Sequence, residues 1–469
     1  MHLIYPLNTL SYKIGRQPLI QNSYTSTNIK IFIAFASLTH QYSDGHQYIA
    51  SIKNKCFGLI IENPTYTLKK NLPIWISFCT RLTLALLVED FFNYPSHNVR
   101  IWGISGTKGK TTSSFLLSSI CQALNLKVGL IGTLGYGTLQ KLNPLFYTTP
   151  DAESLSRILS LLKFKQFSDI TLEISSHALV SFRIHGLSLY SVCLLNFDHD
   201  HLDFHKHIFK YMNAKKILFK YFSSCNLPVI QNSSLLSFFS PSKSLSFGFS
   251  KFVNFYPSKI SNSNTGTSFE LNAFNKKMKI SSQTLGKFNI ENVLCVSGML
   301  LASGFHLHHI SMLSKTASPL GRLEKIYTHP AIFVDFAHSP NSLKFTLLSL
   351  HRCFKRKIIL IFGCGGNRDK NKRKLMTSIA SKYANISIIT MDNPRGEAPH
   401  KIFKDMNIPQ SSIKIKNRQL AISYAINAAS NNDIILIAGK GHEKIQHIKN
   451  KQIICNDARI AYVNVLDRY

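Results

Sequence analysis

Residues 103–112 are Gly-Ile-Ser-Gly-Thr-Lys-Gly-Lys-Thr-Thr, a glycine-rich turn that ends in a lysine and two hydroxyl side chains. The stretch Asn98-Val-Arg-Ile-Trp102 predicts a short buried strand before the turn, and apolar residues at helical spacing in 113–124 predict a helix after it. In such a setting the backbone N–H groups and the helix N-terminus surround an anion, while the lysine reaches the terminal phosphates. We therefore predict a nucleotide-binding loop in which the contacts come from Gly106, Thr107, Lys108, Gly109, Lys110, Thr111 and Thr112.

The loop is a variant, because the general phosphate-loop pattern needs a glycine where this chain has Ile104. A glycine-rich turn that arose by chance is the alternative, and the Lys-Thr ending with its flanking strand and helix speaks against it.

Segments on both sides of this loop predict an α/β fold with three domains, as a chain of 469 residues suggests. Residues 1–95 contain strands and short helices, and residues 96–318 alternate apolar strands with helices around a parallel sheet. A Ser/Asn/Lys-rich stretch at 233–282 predicts a β-rich excursion within that central domain. From residue 319 the alternation restarts, which predicts a second, doubly wound domain over 319–469. Its buried strands are predicted at 331–335, 358–362, 386–390 and 433–438.

The composition narrows the class of protein. The net charge is +32, which ordinarily suggests a nucleic-acid or anionic membrane partner. Here the lysines are spread over the whole chain, so we expect no nucleic-acid partner, and a basic nucleic-acid-binding protein is the remote alternative.

No segment has the roughly 18 continuous apolar residues of a membrane span, and no secretory leader is evident. We expect a cytoplasmic monomer with no membrane partner. The nine cysteines have no CxxC pair, which argues against disulfides and thiolate zinc sites.

Two polar clusters follow apolar segments further along the chain. The first is Thr171-Leu-Glu-Ile-Ser-Ser-His177, and the second is Asn196-Phe-Asp-His-Asp-His-Leu-Asp-Phe-His205. Hard cations such as Mg²⁺ prefer oxygen ligands, and the carboxylates and hydroxyls here supply them. Zinc bound by the His and Asp residues is one alternative, and a solvated polar loop is another. Mg²⁺ beside a phosphate loop explains more of the sequence.

These segments and others like them resemble the Mur ligases, the ATP-dependent amide-forming enzymes of bacterial cell-wall precursor synthesis, and within that family the MurE type. The matching motifs stand in the family's order over most of residues 100–460. They are Gly106-Thr-Lys-Gly-Lys-Thr111, Thr148-Thr-Pro-Asp151, Glu173-Ile-Ser-Ser-His177, Asp200-His-Leu-Asp203, Tyr211-Met-Asn-Ala-Lys215, Gly286-Lys-Phe-Asn-Ile-Glu-Asn292, Gly321-Arg-Leu-Glu324, Val334-Asp-Phe-Ala-His-Ser-Pro340, Phe362-Gly-Cys-Gly-Gly-Asn-Arg-Asp369, Asp392-Asn-Pro-Arg395 and Ala438-Gly-Lys-Gly-His-Glu443.

The resemblance implies an N-terminal uridine-nucleotide domain, a central ATPase domain and a C-terminal domain that closes over the reaction. It implies ATP and Mg²⁺ as cofactors and assigns catalytic or metal-binding roles to Lys110, Thr111, Glu173, His201 and Lys215. Lys215 matches a lysine that is carbamylated in the family, although its spacing alone suggests an ordinary surface lysine. The positions implied to contact ATP across the domain junction are Asn289, Arg322, Asp335 and His338. For Asn289 alone, an amide at a helix start is the simpler interpretation.

The implied reaction joins meso-2,6-diaminopimelate to UDP-N-acetylmuramoyl-L-alanyl-D-glutamate through an acyl phosphate. A carboxylate is a poor acyl donor, so it is first phosphorylated by ATP, and Mg²⁺ and Lys110 neutralise the charge. Arg395 would pair with the distal carboxylate of the acceptor, which L-lysine lacks. The implied donor and acceptor contacts are Ser23, Thr148, Thr149, Ser175, Arg183, Arg368, Asp392, Asn393, Pro394, Arg395, Gly439 and Glu443.

The chain departs from the family pattern at several positions. Asn22-Ser23-Tyr24 stands where the family has Asp-Ser-Arg, and Asp198-His199 stands where relatives usually carry a hydroxyl and an arginine. The remaining departures are Phe336 for tyrosine, and Asn341 and Asn417 for aspartate. The alternatives are the same ligase acting on L-lysine or another diamino acid, and a folate-polyglutamating ligase, which shares the fold and the loop. The Asp-Asn-Pro-Arg and Gly-Lys-Gly-His-Glu segments favour the cell-wall branch.

Overall fold

The computed structural model describes residues 19–20, 31–33, 44–52, 58–66, 73–198, 200–220, 229–235, 244–316 and 318–468. The chain divides into two compact units, Met1–Ser246 with Ala302–Gly304, and Phe247–Leu301 with Phe305–Tyr469. Both units are α/β: their larger sheets contain parallel strands, and antiparallel pairs occur as well. Division into three domains at residues 95 and 318 stays a prediction.

The first unit contains strands from two sheets and seven α-helices within its described part. The strands are β1 (Leu19–Ile20), β2 (Ile31–Ile33), β3 (Gly58–Ile61), β4 (Ile74–Ile76), β5 (Arg100–Ser105), β6 (Val128–Gly132), β7 (Gly135–Thr138), β8 (Lys141–Asn143), β9 (Asp169–Ile174), β10 (Ser191–Leu194) and β11 (Val229–Asn232). The helices are α1 (Ile49–Ile52), α2 (Thr80–Phe91), α3 (Lys110–Ala123), α4 (Ala152–Phe164), α5 (Ser176–Val180), α6 (Leu202–His205) and α7 (Ile208–Lys220), with 3₁₀ turns at Gly45–Tyr48, Pro64–Tyr66, Pro95–Asn98 and Ser233–Leu235.

The N-terminal strands form a four-stranded parallel sheet in the order β1-β2-β3-β4. Helix α2 buries Leu84, Leu87 and Val88 in one apolar cluster with Ile60 of β3. This arrangement agrees with the strands and short helices predicted for residues 1–95. Ser23, the predicted uridine-end contact, lies outside the described residues.

The larger sheet of the first unit carries the phosphate loop. Its strands run in the order β11-β10-β5-β9-β6-β7-β8, and β7 and β8 are added antiparallel at the edge. The register places Ser105, the last residue of β5, beside Ile174 of β9 and Leu194 of β10. Because these strands are parallel, the loops that follow all three emerge at the same edge of the sheet, where ligands bind in open α/β sheets.

The second unit contains a β-meander, a long helix and a six-stranded sheet. Its strands are β12 (Ser244–Phe247, which straddles the division), β13 (Phe255–Ser263), β14 (Gly266–Ala273), β15 (Lys276–Ser282), β16 (Glu324–Thr328), β17 (Ala331–Asp335), β18 (Ile358–Phe362), β19 (Ile386–Ile389), β20 (Ile413–Lys414), β21 (Ile434–Ala438), β22 (Ile445–Ile448) and β23 (Lys451–Ile454). The helices are α8 (Lys287–Ala302), α9 (Pro340–Phe354), α10 (Asn371–Tyr383), α11 (Pro399–Met406), α12 (Arg418–Ala428) and α13 (Asp457–Arg468), with a 3₁₀ helix at Leu307–Lys315.

The six-stranded sheet is doubly wound, as predicted. Its order is β16-β17-β21-β18-β19-β20, with β16 antiparallel at the edge. Alternate residues of one strand enter different apolar clusters: Phe333 belongs to one, and Ile332 and Val334 belong to the other. Side chains of a strand alternate between its two faces, so helices cover both faces of this sheet. The four buried strands predicted from the sequence are confirmed to within one residue at their ends.

The Ser/Asn/Lys-rich stretch is β-rich, as predicted. Strands β13, β14 and β15 form an antiparallel meander over residues 255–282. Among the described residues, seven cysteines are free thiols. No helix within the described ranges has both the length and the apolar character needed to cross a membrane.

Candidate active site

The phosphate loop of the first unit joins β5 to α3. Gly106 and Gly109 have φ values of 155° and 85°, and Gly109 caps the helix in the left-handed region that favours glycine. The helix begins at Lys110, so its first N–H groups point into the loop. Lys110 Nζ donates to the carbonyls of Gly106 (2.7 Å) and Thr107 (3.0 Å), which holds its charge over the loop.

Glu173 of β9 lies beside this helix start. Its side chain is fully buried, and its Oε2 accepts hydrogen bonds from Thr111 Oγ1 (2.9 Å) and Thr133 Oγ1 (3.0 Å). Thr133 N donates to the other oxygen at 2.8 Å. A Cβ on Gly132 would stand only 2.2 Å from Oε1, so glycine is required there for the carboxylate to fit. The predicted pair Thr111 and Glu173 is therefore brought together.

Lys215 lies on α7 and is fully buried. Among the described residues, its Nζ has no hydrogen-bond partner, and it lies 4.9 Å from the centroid of the Tyr211 ring. Burial, and then the positive charge of Lys110, lower the pKa of Lys215 well below its usual 10.5, while Asp200 acts in the opposite direction. The amine is therefore neutral, and able to act as a nucleophile, in a larger fraction of molecules than for an exposed lysine.

Three histidines group around the start of α6. The ring of His177 lies 5.0 Å from that of His201 and 5.6 Å from that of His205, and it packs on Phe204 at 4.1 Å. His205 Nε2 and Ser176 Oγ are hydrogen-bonded at 2.9 Å. Burial, and then the neighbouring His201, lower the pKa of His177 to about 3, so its ring is neutral at physiological pH. His201 has a φ of 53°, and its Nε2 lies 4.0 Å from Asp200 Oδ2.

The loop after β10 is bonded to the phosphate loop. The Asn196 side chain accepts from Lys108 N (2.9 Å) and donates to Lys108 O (3.1 Å). Asp198 N donates to Thr107 Oγ1 at 3.0 Å, and Lys108 Nζ pairs with Asp198 Oδ2 at 2.9 Å. Thr107 Oγ1 is also hydrogen-bonded to the Tyr211 hydroxyl at 2.9 Å, which links the loop to α7. Thr112 is buried in the first turn of α3.

The residues predicted to hold the donor substrate lie together at the end of β9. Thr149 Oγ1 donates to the Glu173 carbonyl at 2.7 Å and accepts from Ser175 N at 3.0 Å. Arg183 Nη1 donates to the Thr149 carbonyl at 2.9 Å, and the guanidinium lies over the Tyr147 ring at 4.6 Å. Thr148 joins the set through its hydroxyl, which is 3.2 Å from the Thr133 hydroxyl.

In the second unit, the predicted ATP contacts lie near the end of β17. Asp335 accepts from Leu323 N (2.7 Å) and Ala337 N (2.9 Å), and burial raises the pKa of its carboxyl. Arg322 lies 4.3 Å above the Phe336 ring. His338 Nδ1 is hydrogen-bonded to the Phe336 carbonyl at 2.8 Å.

Asn289, the remaining predicted ATP contact, lies at the start of α8. Its Nδ2 donates to the Leu285 carbonyl at 2.8 Å, and its Oδ1 accepts from Asn292 at 2.9 Å. These are the bonds of a helix-start amide, and they leave its role towards ATP a prediction.

The predicted acceptor residues form a bonded cluster in the second unit, which we call the acceptor cluster (Asp392–Arg395, Gly439 and Glu443). Asn393 Nδ2 donates to Glu443 Oε2 at 2.8 Å, and burial followed by the charge of Asp392 raises the pKa of Glu443. A Cβ on Gly439, whose φ is 114°, would stand 2.7 Å from Asp392 Oδ2. Pro394 completes the turn, because its carbonyl accepts from Glu397 N at 3.0 Å.

Arg395 is fixed at the centre of the acceptor cluster. It has a φ of 52°, and its backbone N donates to the His447 carbonyl at 2.9 Å. Its Nη1 donates to the Gly366 carbonyl at 3.0 Å, and a guanidinium carries five N–H donors in all. Burial, and then the neighbouring Arg368, lower the pKa of Arg395. Two arginines side by side in this way favour an anionic ligand.

The predicted metal ligands are only partly assembled. Thr111 and Glu173 are in direct contact, whereas His201 and Lys215 both lie around Tyr211, whose ring centroid is 6.2 Å from that of His201. Within the described part of the chain, no group of three or more His, Cys, Asp or Glu side chains has the arrangement of a metal site. Thr111 and Glu173 supply the oxygen donors that Mg²⁺ prefers, whereas His201 and the Lys215 amine supply nitrogen donors.

Sequence reasoning missed several residues that the site depends on. Thr133 gives Glu173 two hydrogen bonds, and Gly132 leaves room for its carboxylate. Gly132 is the last residue of β6 and Thr133 follows it, and β6 runs parallel to β9. A position directly after an apolar segment of the predicted parallel sheet was the available signal. Tyr211 lies within a recognised motif but had no role assigned; its ring and hydroxyl connect Lys215 to the phosphate loop.

Comparison with known proteins identifies the family. A model of the Mur ligase middle domain matches residues 104–300, and one of the Mur ligase glutamate ligase domain matches residues 321–441. The chain is 31% identical over 444 residues to the UDP-N-acetylmuramoyl-L-alanyl-D-glutamate–2,6-diaminopimelate ligase of Geobacillus thermodenitrificans (strain NG80-2), covering 91% of this chain and 90% of that protein. The chain belongs to the Mur ligase family.

Solved structures of Mur ligases agree with the fold. One, of a UDP-N-acetylmuramoyl-L-alanyl-D-glutamate–2,6-diaminopimelate ligase, superimposes with a TM-score of 0.68 at 28% identity, covering 97% of this chain and 96% of that one. The MurF ligase of Thermotoga maritima, solved in complex with ADP, gives a TM-score of 0.61 at 15% identity, with 96% of each chain covered. The predicted α/β fold of the Mur ligases is thereby confirmed.

Proposed function

We propose that this Mur ligase joins meso-2,6-diaminopimelate to UDP-N-acetylmuramoyl-L-alanyl-D-glutamate at the expense of ATP. The observation that carries the acceptor assignment is the bonded set of Arg395, Asn393 and Glu443, which places a guanidinium and a carboxylate in one cluster. A diamino acid with a second carboxylate complements both charges, and a planar guanidinium binds a carboxylate through two parallel hydrogen bonds. L-lysine has no distal carboxylate for Arg395.

The phosphate loop is proposed to bind ATP. The ammonium group of Lys110 is hydrogen-bonded to the carbonyl of Gly106 in the loop, and it lies within reach of a phosphate bound at the N-terminus of α3. Phosphoryl transfer to the glutamyl carboxylate needs charge neutralisation, which Lys110 and the helix N-terminus supply. Asp335, Arg322, His338 and Asn289 are proposed to contact the same nucleotide from the second unit. The amine of the acceptor then attacks the acyl phosphate and releases inorganic phosphate.

Mg²⁺ is proposed to be held by Thr111, Glu173, His201 and a carbamylated Lys215. A neutral lysine amine adds to the carbon of CO₂ and loses a proton, which converts the buried amine into a carbamate, a carboxylate-like oxygen ligand. The buried Nζ of Lys215, unpartnered among the described residues and with a lowered pKa, supports this modification. Bound Mg²⁺ would neutralise the phosphate charge during transfer.

The donor substrate is proposed to bind through Thr148, Thr149, Ser175 and Arg183, where a guanidinium faces hydroxyls and a carbonyl. Ser23 and Arg368 are proposed to complete the substrate contacts. We also propose that the enzyme acts as a cytoplasmic monomer and does not bind nucleic acid. Size-exclusion chromatography and a duplex-DNA shift at physiological salt test the last two points.

The deciding experiment measures ADP release by the purified protein with ATP, Mg²⁺ and the UDP-dipeptide donor, comparing meso-diaminopimelate with L-lysine. We expect ADP release and a product of the expected mass with diaminopimelate alone. Activity with L-lysine alone would keep the ligase but overturn the role given to Arg395. No activity with either acceptor would contradict the proposed function.

A further inference from the structure

A carboxylate from the loop after β10 lies against the phosphate loop. Asp198 Oδ2 is 2.9 Å from Lys108 Nζ, and the two side chains are 26% and 29% exposed. Lys108 lies two residues before the first residue of α3, a helix of 14 residues whose N-terminus faces the loop. Loop N–H groups, a helix N-terminus and lysines all attract negative charge. Asp198 is therefore paired with the ammonium group of Lys108, which a bound phosphate would otherwise contact.

The position of this carboxylate is fixed by the loops around it. Asn196 bonds both backbone groups of Lys108, and Asp198 N donates to Thr107 Oγ1. Thr107 N also donates to the Asn196 carbonyl at 3.2 Å. Because these bonds involve backbone groups and Asn196, they hold the Asp198 side chain beside Lys108 and persist when the carboxylate is replaced.

We propose that Asp198 is a built-in competitor of the nucleotide phosphates for Lys108. A bound polyphosphate must take Lys108 away from Asp198 before it can contact that lysine, and this exchange weakens nucleotide binding. The device lowers the affinity for ADP and speeds its release after the reaction. The proposal rests on the proposed function only in that the loop binds ATP and ADP.

The test is the affinity of the full chain for ADP, measured by titration calorimetry without donor or acceptor. Asp198→Asn keeps the shape and removes the charge, so we expect the Kd to fall roughly two- to fivefold, the range that a partly exposed ion pair contributes. Asp198→Glu keeps the charge and should bind ADP like the unmodified chain. The gain from Asp198→Asn should shrink from about 0.05 M to about 0.5 M salt, because screening weakens exposed charge interactions.

A double-mutant cycle separates competition for Lys108 from a direct effect on the phosphates. Lys108→Ala alone should weaken ADP binding, and adding Asp198→Asn to it should change the Kd no further. An unchanged or raised Kd in Asp198→Asn would overturn the proposal, as would a full gain that persists without Lys108. Asp198→Ser, with its thermal unfolding checked, repeats the test if the amide perturbs the loop. Failure of the unmodified chain to bind ADP would instead count against the proposed function.

Discussion

The phosphate-loop site (residues 106–112, Glu173 and Lys215) and the acceptor cluster treat buried charge differently. In the acceptor cluster, Arg395 is bonded to loop carbonyls and Glu443 is bonded to Asn393. In the phosphate-loop site, Lys215 is buried with no hydrogen-bond partner among the described residues. A buried polar group without a partner destabilises the fold, so it is retained where chemistry uses it. The comparison shows that hydrogen bonds fix the charged groups of the acceptor cluster, whereas the phosphate-loop site contains a buried amine that no hydrogen bond among the described residues fixes.

The largest expected effect comes from Lys110. Replacement by alanine removes the charge nearest the helix N-terminus, and we expect turnover to fall by about a thousandfold or more, as for loss of a main transition-state contact. Lys108→Ala is the matched control in the same loop, and its loss should be about tenfold. Steady-state ADP release measures both variants. Equal losses would mean that the loop acts as a general basic patch.

Lys215→Met should reduce turnover by about a hundredfold or more without lowering the free energy of unfolding, because a thioether suits the buried site better than an amine. Lys216→Met, on the exposed side of the same helix, should leave both quantities nearly unchanged. Isotope-labelled bicarbonate should give a carbamate signal in the unmodified chain that Lys215→Met loses. A stability loss of several kcal/mol would show that Lys215 is structural and would break the comparison.

Comparing the wild type with Lys215→Met at several pH values tests the lowered pKa of Lys215. The folded-state pKa of Lys215 lies below its unfolded value of 10.5, so between these values the unfolded chain binds more protons than the folded one. The free energy of unfolding of the wild type, relative to Lys215→Met, should therefore rise with pH up to about 10.5 and fall as pH decreases. Denaturant unfolding at several pH values, with CO₂ excluded, measures the difference. A difference independent of pH would contradict the lowered pKa.

Arg395→Lys sharpens the other side of the comparison. It keeps the positive charge but loses the planar pair of donors, so the KM for diaminopimelate should rise by about ten- to a hundredfold, with a smaller change in kcat. Arg352→Lys, on the exposed face of α9, is the control and should change neither constant. An unchanged KM would mean that Arg395 only stabilises the loop through its bonds to the backbone carbonyls and does not bind the acceptor.

The smallest effect is expected at Thr133. Valine removes the hydroxyl that donates to Glu173 but keeps the backbone N–H bond, so turnover should fall by about tenfold. Thr138→Val on β7, whose hydroxyl accepts from Lys141 N, is the matched control. An unchanged turnover in Thr133→Val would mean that Thr111 and the backbone suffice to place the carboxylate.

The phosphate loop and the strands of the second unit could be predicted because their signals are local. Glycine, lysine and threonine at fixed spacing specify a turn before a helix, and runs such as 358–362 are too apolar to lie anywhere but in a buried sheet. Lys215 is the opposite case. Its sequence neighbours, including Lys216, suggest a surface helix, and only family resemblance assigned it a role.

The sequence by itself determined the α/β class, the phosphate loop, the buried strands and the family, because backbone conformation and apolar periodicity are encoded within short segments. The tertiary structure alone placed Thr133 on Glu173, buried Lys215 beside Tyr211 and paired Asp198 with Lys108. The Thr133–Glu173 and Lys108–Asp198 contacts join residues 40 and 90 positions apart in the sequence. Lys215 and Tyr211 are close in sequence, but the burial of Lys215 depends on the tertiary structure. Sheet register and helix packing bring such residues together, and burial then sets their pKa values, neither of which a local pattern contains.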